Sequence, residues 1–159
     1  MAVGYIIRKA GKAEWPLLRK FLYNAVFIPE GMGPPPESIV DLPELRVYIQ
    51  DFGKGKADTA FLAEEQAQTV GMVWARIMED YGHLDNDTPS LAIAVLEGYR
   101  GRGIGTALME KILDCLREKG YKGASLSVQE ENPAAGLYKR LGFDVVFKRD
   151  GELVMKKEF

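Results

Sequence analysis

Residues 100–105 read Arg-Gly-Arg-Gly-Ile-Gly, which combines two cationic side chains with three glycines. Glycine has no Cβ, so it adopts positive φ readily and lets a ligand approach the backbone closely. Arginine adds a permanent charge and a fork of hydrogen-bond donors that matches phosphate oxygens. Free backbone N–H groups at a helix start also attract anions, and the helix dipole strengthens that attraction. This segment therefore predicts a binding site for a phosphate-bearing ligand.

The flanking segments predict how this site is positioned. Residues 90–96 are nearly all apolar, which is typical of a strand buried on both faces. Residues 106–119 carry apolar side chains at helical spacing, and Gly120 is a suitable C-terminal cap. The glycine-rich segment is therefore expected to be the turn between a buried strand and an amphipathic helix.

Periodicity and turn signals predict the remaining elements. We expect further strands at residues 4–9, 59–65, 69–79, 124–128, 143–148 and 152–157, and further helices at residues 13–25, 38–50 and 133–141. The three successive strands between residues 59 and 96 form a meander, and helical crossovers bring in the later ones. This order predicts an α+β fold with a mixed sheet. Since the chain has no internal repeat or linker, residues 1–159 are expected to form a single domain.

The composition excludes several classes of protein. The 159 residues carry a net charge of −2, so the basic surplus of a nucleic-acid-binding protein is missing. One cysteine, Cys115, allows no internal disulfide, and one histidine, His83, gives little basis for a zinc site or a Ser-His-Asp triad. No run approaches the ~18 apolar residues of a membrane span, and the start lacks a signal-peptide pattern. We therefore expect a cytoplasmic protein with no nucleic-acid or membrane partner.

Two common phosphate-binding patterns do not fit the turn. A P-loop would need a lysine between the last glycine and the Ser/Thr, whereas Thr106 follows Gly105 directly. A dinucleotide fingerprint would need Gly or Ala three residues after its second glycine, where this chain has Thr106 or Leu108. A third pattern, Gln/Arg-x-x-Gly-x-Gly/Ala, is satisfied by Arg100, Gly103 and Gly105.

This third pattern resembles the acetyl-CoA-binding turn of the GNAT superfamily of N-acetyltransferases. Residues 95–108 resemble the whole strand–turn–helix motif of that family, and residues 132–143 resemble its second signature. Gly98 departs from the family pattern, in which a proline often lies near the turn entrance. The resemblance implies a GNAT-like acyl-CoA N-acyltransferase fold, an α+β protein of three layers. Its mixed sheet would have about seven strands, flanking helices, and a fourth and fifth strand that splay apart.

The resemblance also implies acetyl-CoA as the cosubstrate, with no metal. The pyrophosphate would lie on the backbone N–H groups of the turn, and the pantetheine arm would pair with the edge of the strand that ends near Val95. A bulge near Val95 often aims an N–H at the acetyl carbonyl in that family. The cofactor-binding residues implied are Val95, Leu96, Arg100, Gly101, Arg102, Gly103, Ile104, Gly105, Thr106, Asn132, Ala135 and Tyr138.

The implied reaction is direct transfer of the acetyl group to a primary amine. Tyr138 occupies the position of the family's general acid, which donates a proton to the departing thiolate. A base must also remove a proton from the amine. Glu79, at the end of the predicted third strand, is our first candidate for this base together with its neighbour Asp80. Glu30 and Glu97 are weaker candidates.

The loops that form the acceptor pocket in this family are acidic and aromatic here, which suits a cationic amine on a small molecule, a peptide or a protein. The residues concerned are Phe27, Glu30, Met32, Tyr81, His83, Asp85 and Asp87. Two alternatives remain open. One is a non-catalytic acyl-CoA-binding module on the same fold, and the other is an acyltransferase for longer acyl chains. The closing hairpin, residues 143–157, is the surface that could support a homodimer.

Overall fold

The computed structural model describes residues 4–159. Residues 1–3 lie outside the described part, and both the predicted single domain and the start predicted to lack a signal peptide include them. Seven strands form one sheet in the order β1-β2-β3-β4-β5-β7-β6. They are β1 Tyr5–Lys9, β2 Thr59–Glu65, β3 Gln68–Arg76, β4 Ser90–Val95, β5 Gly123–Gln129, β6 Asp144–Arg149 and β7 Glu152–Glu158. The helices are α1 Leu17–Ala25, α2 Pro43–Arg46, α3 Ile104–Glu118 and α4 Ala134–Arg140. The predicted α+β fold with a seven-stranded mixed sheet is confirmed.

The fourth and fifth strands separate from each other almost at once. They are the parallel neighbours of the sheet, and their register contains the single pair Ser90↔Ser125. By contrast, β3 and β4 are paired over their whole common length, from Arg76↔Ser90 to Gly71↔Val95. The predicted splay between the fourth and fifth strands is thus confirmed, and the split opens toward the C-terminal ends of both strands.

Alternating side chains along the strands build a hydrophobic core on each face of the sheet. On one face, α3 packs Leu108, Met109 and Ile112 against buried residues of β3, β4 and β5. On the other face, α1 packs Leu18 and Phe21 against a cluster that includes Trp74 of β3. These two faces are called the α3 face and the α1 face below.

Prolines explain where the predicted helices at residues 13–25 and 38–50 were wrong. Pro16 has no N–H to donate, so the first part becomes a separate 3₁₀ turn, Lys12–Glu14, and α1 begins at Leu17. Pro43 forces the residue before it, Leu42, into an extended conformation with ψ of 141°. The second segment therefore divides into a 3₁₀ turn, Glu37–Asp41, and the single helical turn of α2.

The third strand also ends earlier than predicted. It stops at Arg76, and residues 77–89 form a loop, so Glu79 and Asp80 lie in the β3–β4 loop. The Arg76 side chain is buried and binds Asp58 through two hydrogen bonds of 3.2 and 3.0 Å. Its third nitrogen donates to the carbonyls of Val47 and Gln50 at 3.0 and 2.8 Å. This arginine therefore fixes the connection between α2 and β2 against the α1 face.

Candidate functional site

The turn between β4 and α3 has three glycines with positive φ, of which Gly101 and Gly103 lie within three residues of the start of α3. Gly101 has φ of 75° and Gly103 has φ of 84°, a region that other residues enter only at a cost. A Cβ at either position would meet nothing within 4 Å, so the space above the turn is open. Positive φ explains why glycine is needed here, and the open space leaves the backbone accessible to a ligand.

The start of α3 presents backbone donors to this space. Ala107 N donates to Gly103 O at 3.0 Å and makes the first bond of the helix, so the N–H groups of Ile104, Gly105 and Thr106 precede the helical ladder. The first turn of α3 carries no acidic side chain that could compete for these donors. These three N–H groups are therefore available to an acceptor outside the helix.

The two arginines of the turn already have partners within the described chain. Arg100 Nε donates to Val95 O at 2.9 Å, which ties the turn to the end of β4. Arg102 forms a forked ion pair with Glu65 of β2, with distances of 3.2 and 2.7 Å, and lies over the Tyr99 ring. A phosphate contact by Arg102 therefore requires this guanidinium to leave Glu65.

Peptide groups of β4 face the split between β4 and β5. Leu96 N donates to Val70 O at 2.9 Å. Because bonded pairs alternate in an antiparallel ladder, the peptide groups of Val95 and Ile93 point away from β3 and toward β5. The register of β3 and β4 shows no shift, so the bulge implied near Val95 is absent from these two strands. Regular alternation alone aims these N–H groups into the split.

Leu96 has fewer groups available to a bound cofactor than predicted. Its N–H is bonded to β3, and its carbonyl accepts a hydrogen bond from Tyr99 N at 3.0 Å. Only its half-buried side chain is left for contact with a ligand in the split.

The second signature folds against the first. Asn132 Oδ1 accepts a hydrogen bond from Ala134 N at 2.9 Å, which caps the start of α4 as predicted. Leu137 Cδ2 lies 3.7 Å from the position that a Cβ would take on Gly105, so α4 packs directly on the start of α3. Ala135 is half-buried and packs against the core of the α3 face.

Tyr138 is buried in the same core. The residue is 8% exposed, and its ring makes an edge contact with Phe143, at 6.2 Å between ring centroids. Burial raises the pKa of the Tyr138 phenol to about 12. The hydroxyl therefore keeps its proton across the physiological range, which suits a hydrogen-bond donor better than a group that releases its proton easily.

The four carboxylates considered as bases differ in their surroundings. Glu79, Glu30 and Glu97 are exposed. Asp80 is half-buried, and Ser90 Oγ donates to its Oδ1 at 2.8 Å. Its Oδ2 is buried and has no hydrogen-bond partner in the described chain, and burial raises the pKa of this carboxyl.

The α1 face beside the split contains two residues that the sequence analysis missed. Tyr48 follows α2, is 8% exposed, and its phenol lies near Asp80 and Ser127. Glu152 of β7 is half-buried, and burial raises the pKa of its carboxyl. Its charge acts on both Tyr48 and Tyr81. No local signal marks either residue, because the sheet register places Glu152 and the packing of the segment after α2 places Tyr48.

The predicted acceptor residues are only partly brought together. Tyr81 and His83 belong to the loop beside the split, and Tyr81 is 40% exposed. Met32 and Glu30 are exposed in the loop after α1. Asp87 instead lines a separate surface cavity near Lys119 and Lys156. Asp85 Oδ1 accepts a hydrogen bond from the Asp87 N–H at 2.8 Å.

The profile of the acetyltransferase (GNAT) family matches residues 26–143. The chain therefore belongs to the GNAT family of acetyltransferases. It is 37% identical over 106 residues to an N-alpha-acetyltransferase of Sulfurisphaera tokodaii, a match covering 58% of this chain and 63% of that one. It is 35% identical over 82 residues to the [ribosomal protein bS18]-alanine N-acetyltransferase of Haemophilus influenzae, covering 52% of each chain. The match thus spans between half and two thirds of these relatives.

Solved structures share the fold. The PaiA N-acetyltransferase of Thermoplasma acidophilum in complex with coenzyme A has a TM-score of 0.71 at 14% identity, covering 99% of this chain and all of that one. The ribosomal-protein-S18-alanine N-acetyltransferase of Escherichia coli has a TM-score of 0.65 at 20% identity, covering 97% and 93%. At these identities the likeness concerns the fold alone. Among the described residues, no helix combines the length and apolar character needed to cross a membrane.

Proposed function

We propose that this chain, as a single domain over residues 1–159, transfers an acetyl group from acetyl-CoA directly to a primary amine. The proposal rests on one observation, which is that the free edge of β4 and the turn before α3 follow each other directly. The free edge of β4 in the split runs straight into the anion-binding turn at the start of α3. Family membership and the N-acetyltransferase names of the relatives support the same reaction.

The positions of the turn and the split support one orientation of the cosubstrate. The pyrophosphate belongs on the N–H groups of Ile104, Gly105 and Thr106, with Gly101 and Gly103 leaving room for it. The pantetheine arm then runs back along β4, beside Val95 first. The thioester is the end of the arm farthest from the pyrophosphate, so it lies deeper, beside Ile93. The N–H near Val95 that was expected to hold the oxyanion is therefore better assigned to Ile93.

The chemistry needs a neutral amine and a stabilised leaving group. A lysine-like amine has a pKa of ~10.4, so keeping it neutral at pH 7 costs about 4.6 kcal/mol. The nitrogen lone pair attacks the thioester carbon, and the N–H of Ile93 stabilises the resulting oxyanion. The C–S bond then breaks and the acetamide remains on the acceptor. A base takes one proton from the ammonium. A second proton from the same nitrogen protonates the thiolate to give the free thiol, and Tyr138 donates a hydrogen bond to the sulfur.

The acceptor we propose is a cationic amine, on a small molecule or at the N-terminus of a peptide or protein. The carboxylates of Asp80 and Glu152 and the rings of Tyr48 and Tyr81 support a cationic group on the α1 face. The relatives named for N-alpha and alanine acetylation support the N-terminal form.

Thiol release from acetyl-CoA across a panel of amines and peptides tests this proposal. We expect release that depends on an amine, with one acetamide formed per thiol by mass spectrometry. Thiol release without amine would indicate hydrolysis. Tight acetyl-CoA binding with no release across the panel would favour the non-catalytic acyl-CoA-binding module, and faster release from longer acyl-CoA esters would favour an acyltransferase of that kind.

A further inference from the structure

A buried polar cluster occupies the closed end of the split, on the α1 face. Ser90 and Ser125 are the one pair that joins β4 to β5, and their hydroxyl oxygens lie 3.5 Å apart. Ser90 alternates with Ala92 and Ala94, which belong to the core of the α1 face, so both serine side chains point to that face. The cluster therefore lies on the side of the sheet opposite to α3 and α4.

The β3–β4 loop is held tightly over this cluster. Ser125 Oγ donates to Gly82 O at 2.7 Å. A Cβ on Gly82 would lie 2.9 Å from the carbonyl carbon of Leu126, so the loop backbone rests directly on β5. His83 N also donates to Asp80 O at 3.2 Å and closes a turn within the loop. Asp80 is therefore fixed at the apex of the split rather than carried on a mobile loop.

Within this loop two adjacent carboxylates have opposite environments. Glu79 is exposed, and Asp80 is half-buried with its Oδ1 bonded to Ser90 Oγ. The buried Oδ2 of Asp80 has no partner within residues 4–159. A buried carboxylate oxygen without a partner carries a desolvation cost that a donor from a bound ligand would remove.

We propose that Asp80 is the catalytic base of this site, and that Ser90 is the positioning residue that holds its carboxylate. The inference rests on the proposed function and deepens it, since it selects one of two adjacent carboxylates and adds one residue that has no local motif.

The spacing allows the proton to reach Asp80. Ser90 and Ile93 are three residues apart, or about 10 Å along the strand. Each hydrogen bond covers about 3 Å, so two bridging waters between the amine and Asp80 cover about 9 Å of this distance. The ammonium proton passes to the first water, that water gives a proton to the second, and the second gives a proton to Asp80 Oδ2, which leaves a neutral amine and a protonated carboxyl. After acetyl transfer, Asp80 returns this proton to solvent.

The electrostatics support the role. Burial raises the pKa of the Asp80 carboxyl, and the hydrogen bond from Ser90 opposes part of that rise. The titratable groups around it are Tyr48 from the segment after α2, Tyr81 and His83 from its own loop, Glu152 from β7, and Glu44 of α2 beside Tyr81.

The first experiment compares Asp80→Asn with the competing variant Glu79→Gln. For Asp80→Asn we expect kcat to fall roughly 10²- to 10⁴-fold, while acetyl-CoA affinity by calorimetry and the melting temperature stay close to wild type. The remaining activity should rise steadily with pH, since only the free amine then reacts. Glu79→Gln should keep most of the activity. The reverse pattern, with Glu79→Gln inactive and Asp80→Asn active, would overturn the inference.

The second experiment tests the positioning residue even if Asp80→Asn does not fold. Ser90→Ala removes the donor to the Asp80 carboxylate, so its pKa should rise. The acidic limb of kcat/KM should then move to higher pH by about one unit. An acidic limb that stays in place in this variant would reject the assignment.

The two hypotheses fail in distinguishable ways. If wild-type protein releases no thiol with any amine, the proposed function fails. If wild type is active and Asp80→Asn matches it across the pH range, only the role of Asp80 fails. Glu152→Gln tests whether the acidic limb belongs to the neighbouring carboxylate instead, since the limb would then disappear in that variant.

Discussion

Replacing Tyr138 with phenylalanine removes the hydroxyl that we propose as hydrogen-bond donor to the sulfur, and it leaves the ring in place. The ring packs in the core of the α3 face and contacts Phe143 at its edge, so its removal would confuse folding with chemistry. Tyr138→Phe keeps those contacts. We expect kcat to fall while acetyl-CoA affinity and the melting temperature remain near wild type.

The size of the effect follows from the burial of the phenol. Burial raises the pKa of Tyr138 to about 12. Complete transfer of its proton to a thiolate of pKa ~8.5 would be uphill by about 5 kcal/mol. A hydrogen bond that stays with the phenol and stabilises the thiolate contributes roughly 1.5–3 kcal/mol. Its loss corresponds to a fall in kcat of roughly 10- to 150-fold.

The assay is thiol release at saturating acetyl-CoA, measured from pH 6 to pH 10. Because the phenol stays protonated over this range, wild type should show no basic limb that belongs to Tyr138. Wild-type turnover in Tyr138→Phe would refute the role of the hydroxyl. A basic limb between pH 8 and pH 10 that disappears in the variant would refute the argument that the phenol keeps its proton.

Four further substitutions test the turn, its ion pair and the frame that supports the α1 face. Gly103→Ala forces a Cβ into the left-handed region, which costs ~1–2 kcal/mol of stability, and also into the space above the turn, so acetyl-CoA affinity should fall. Gly98→Ala carries the same strain, with φ of 91° in the native backbone, and should lose stability but not affinity, as calorimetry and thermal melting will show. Glu65→Gln releases the Arg102 guanidinium, so acetyl-CoA should bind more tightly and with a steeper salt dependence; unchanged affinity at low salt would mean that Arg102 makes no phosphate contact. Asp58→Ala leaves the buried guanidinium of β3 unpaired and should lower the free energy of unfolding by about 3–5 kcal/mol in urea titration, and a loss below ~1 kcal/mol would contradict the role given to this pair.

Local chemistry explains why the turn could be predicted from the sequence. The glycines of residues 100–105 predict positive φ without any information from the rest of the chain, and Gly101 and Gly103 do adopt it. The apolar run before the turn and the helical periodicity after it are equally local, and β4 and α3 lie within two residues of their predicted bounds. The hairpin turn at Asp150 and Gly151, with φ of 52° and 80°, was predictable for the same reason.

The surroundings of the proposed base could not be predicted in this way. The register of β5 and β7 places Ser127 and Glu152 on the same face, the β3–β4 loop adds Asp80, and the segment after α2 adds Tyr48. No local pattern in the sequence predicts that arrangement. Asp80 was distinguished from its neighbour Glu79 only by burial, which depends on how the loop rests on β5.

The central claim is that acetyl-CoA lies along β4 in the split, with its phosphates at the start of α3. Amide hydrogen exchange, measured residue by residue with and without acetyl-CoA, tests it most directly. We predict slower exchange at Ile93 and Val95 in the split and at Ile104, Gly105 and Thr106 in the turn. Saturating acetyl-CoA that leaves these five amides unchanged and protects another part of the chain would contradict the claim.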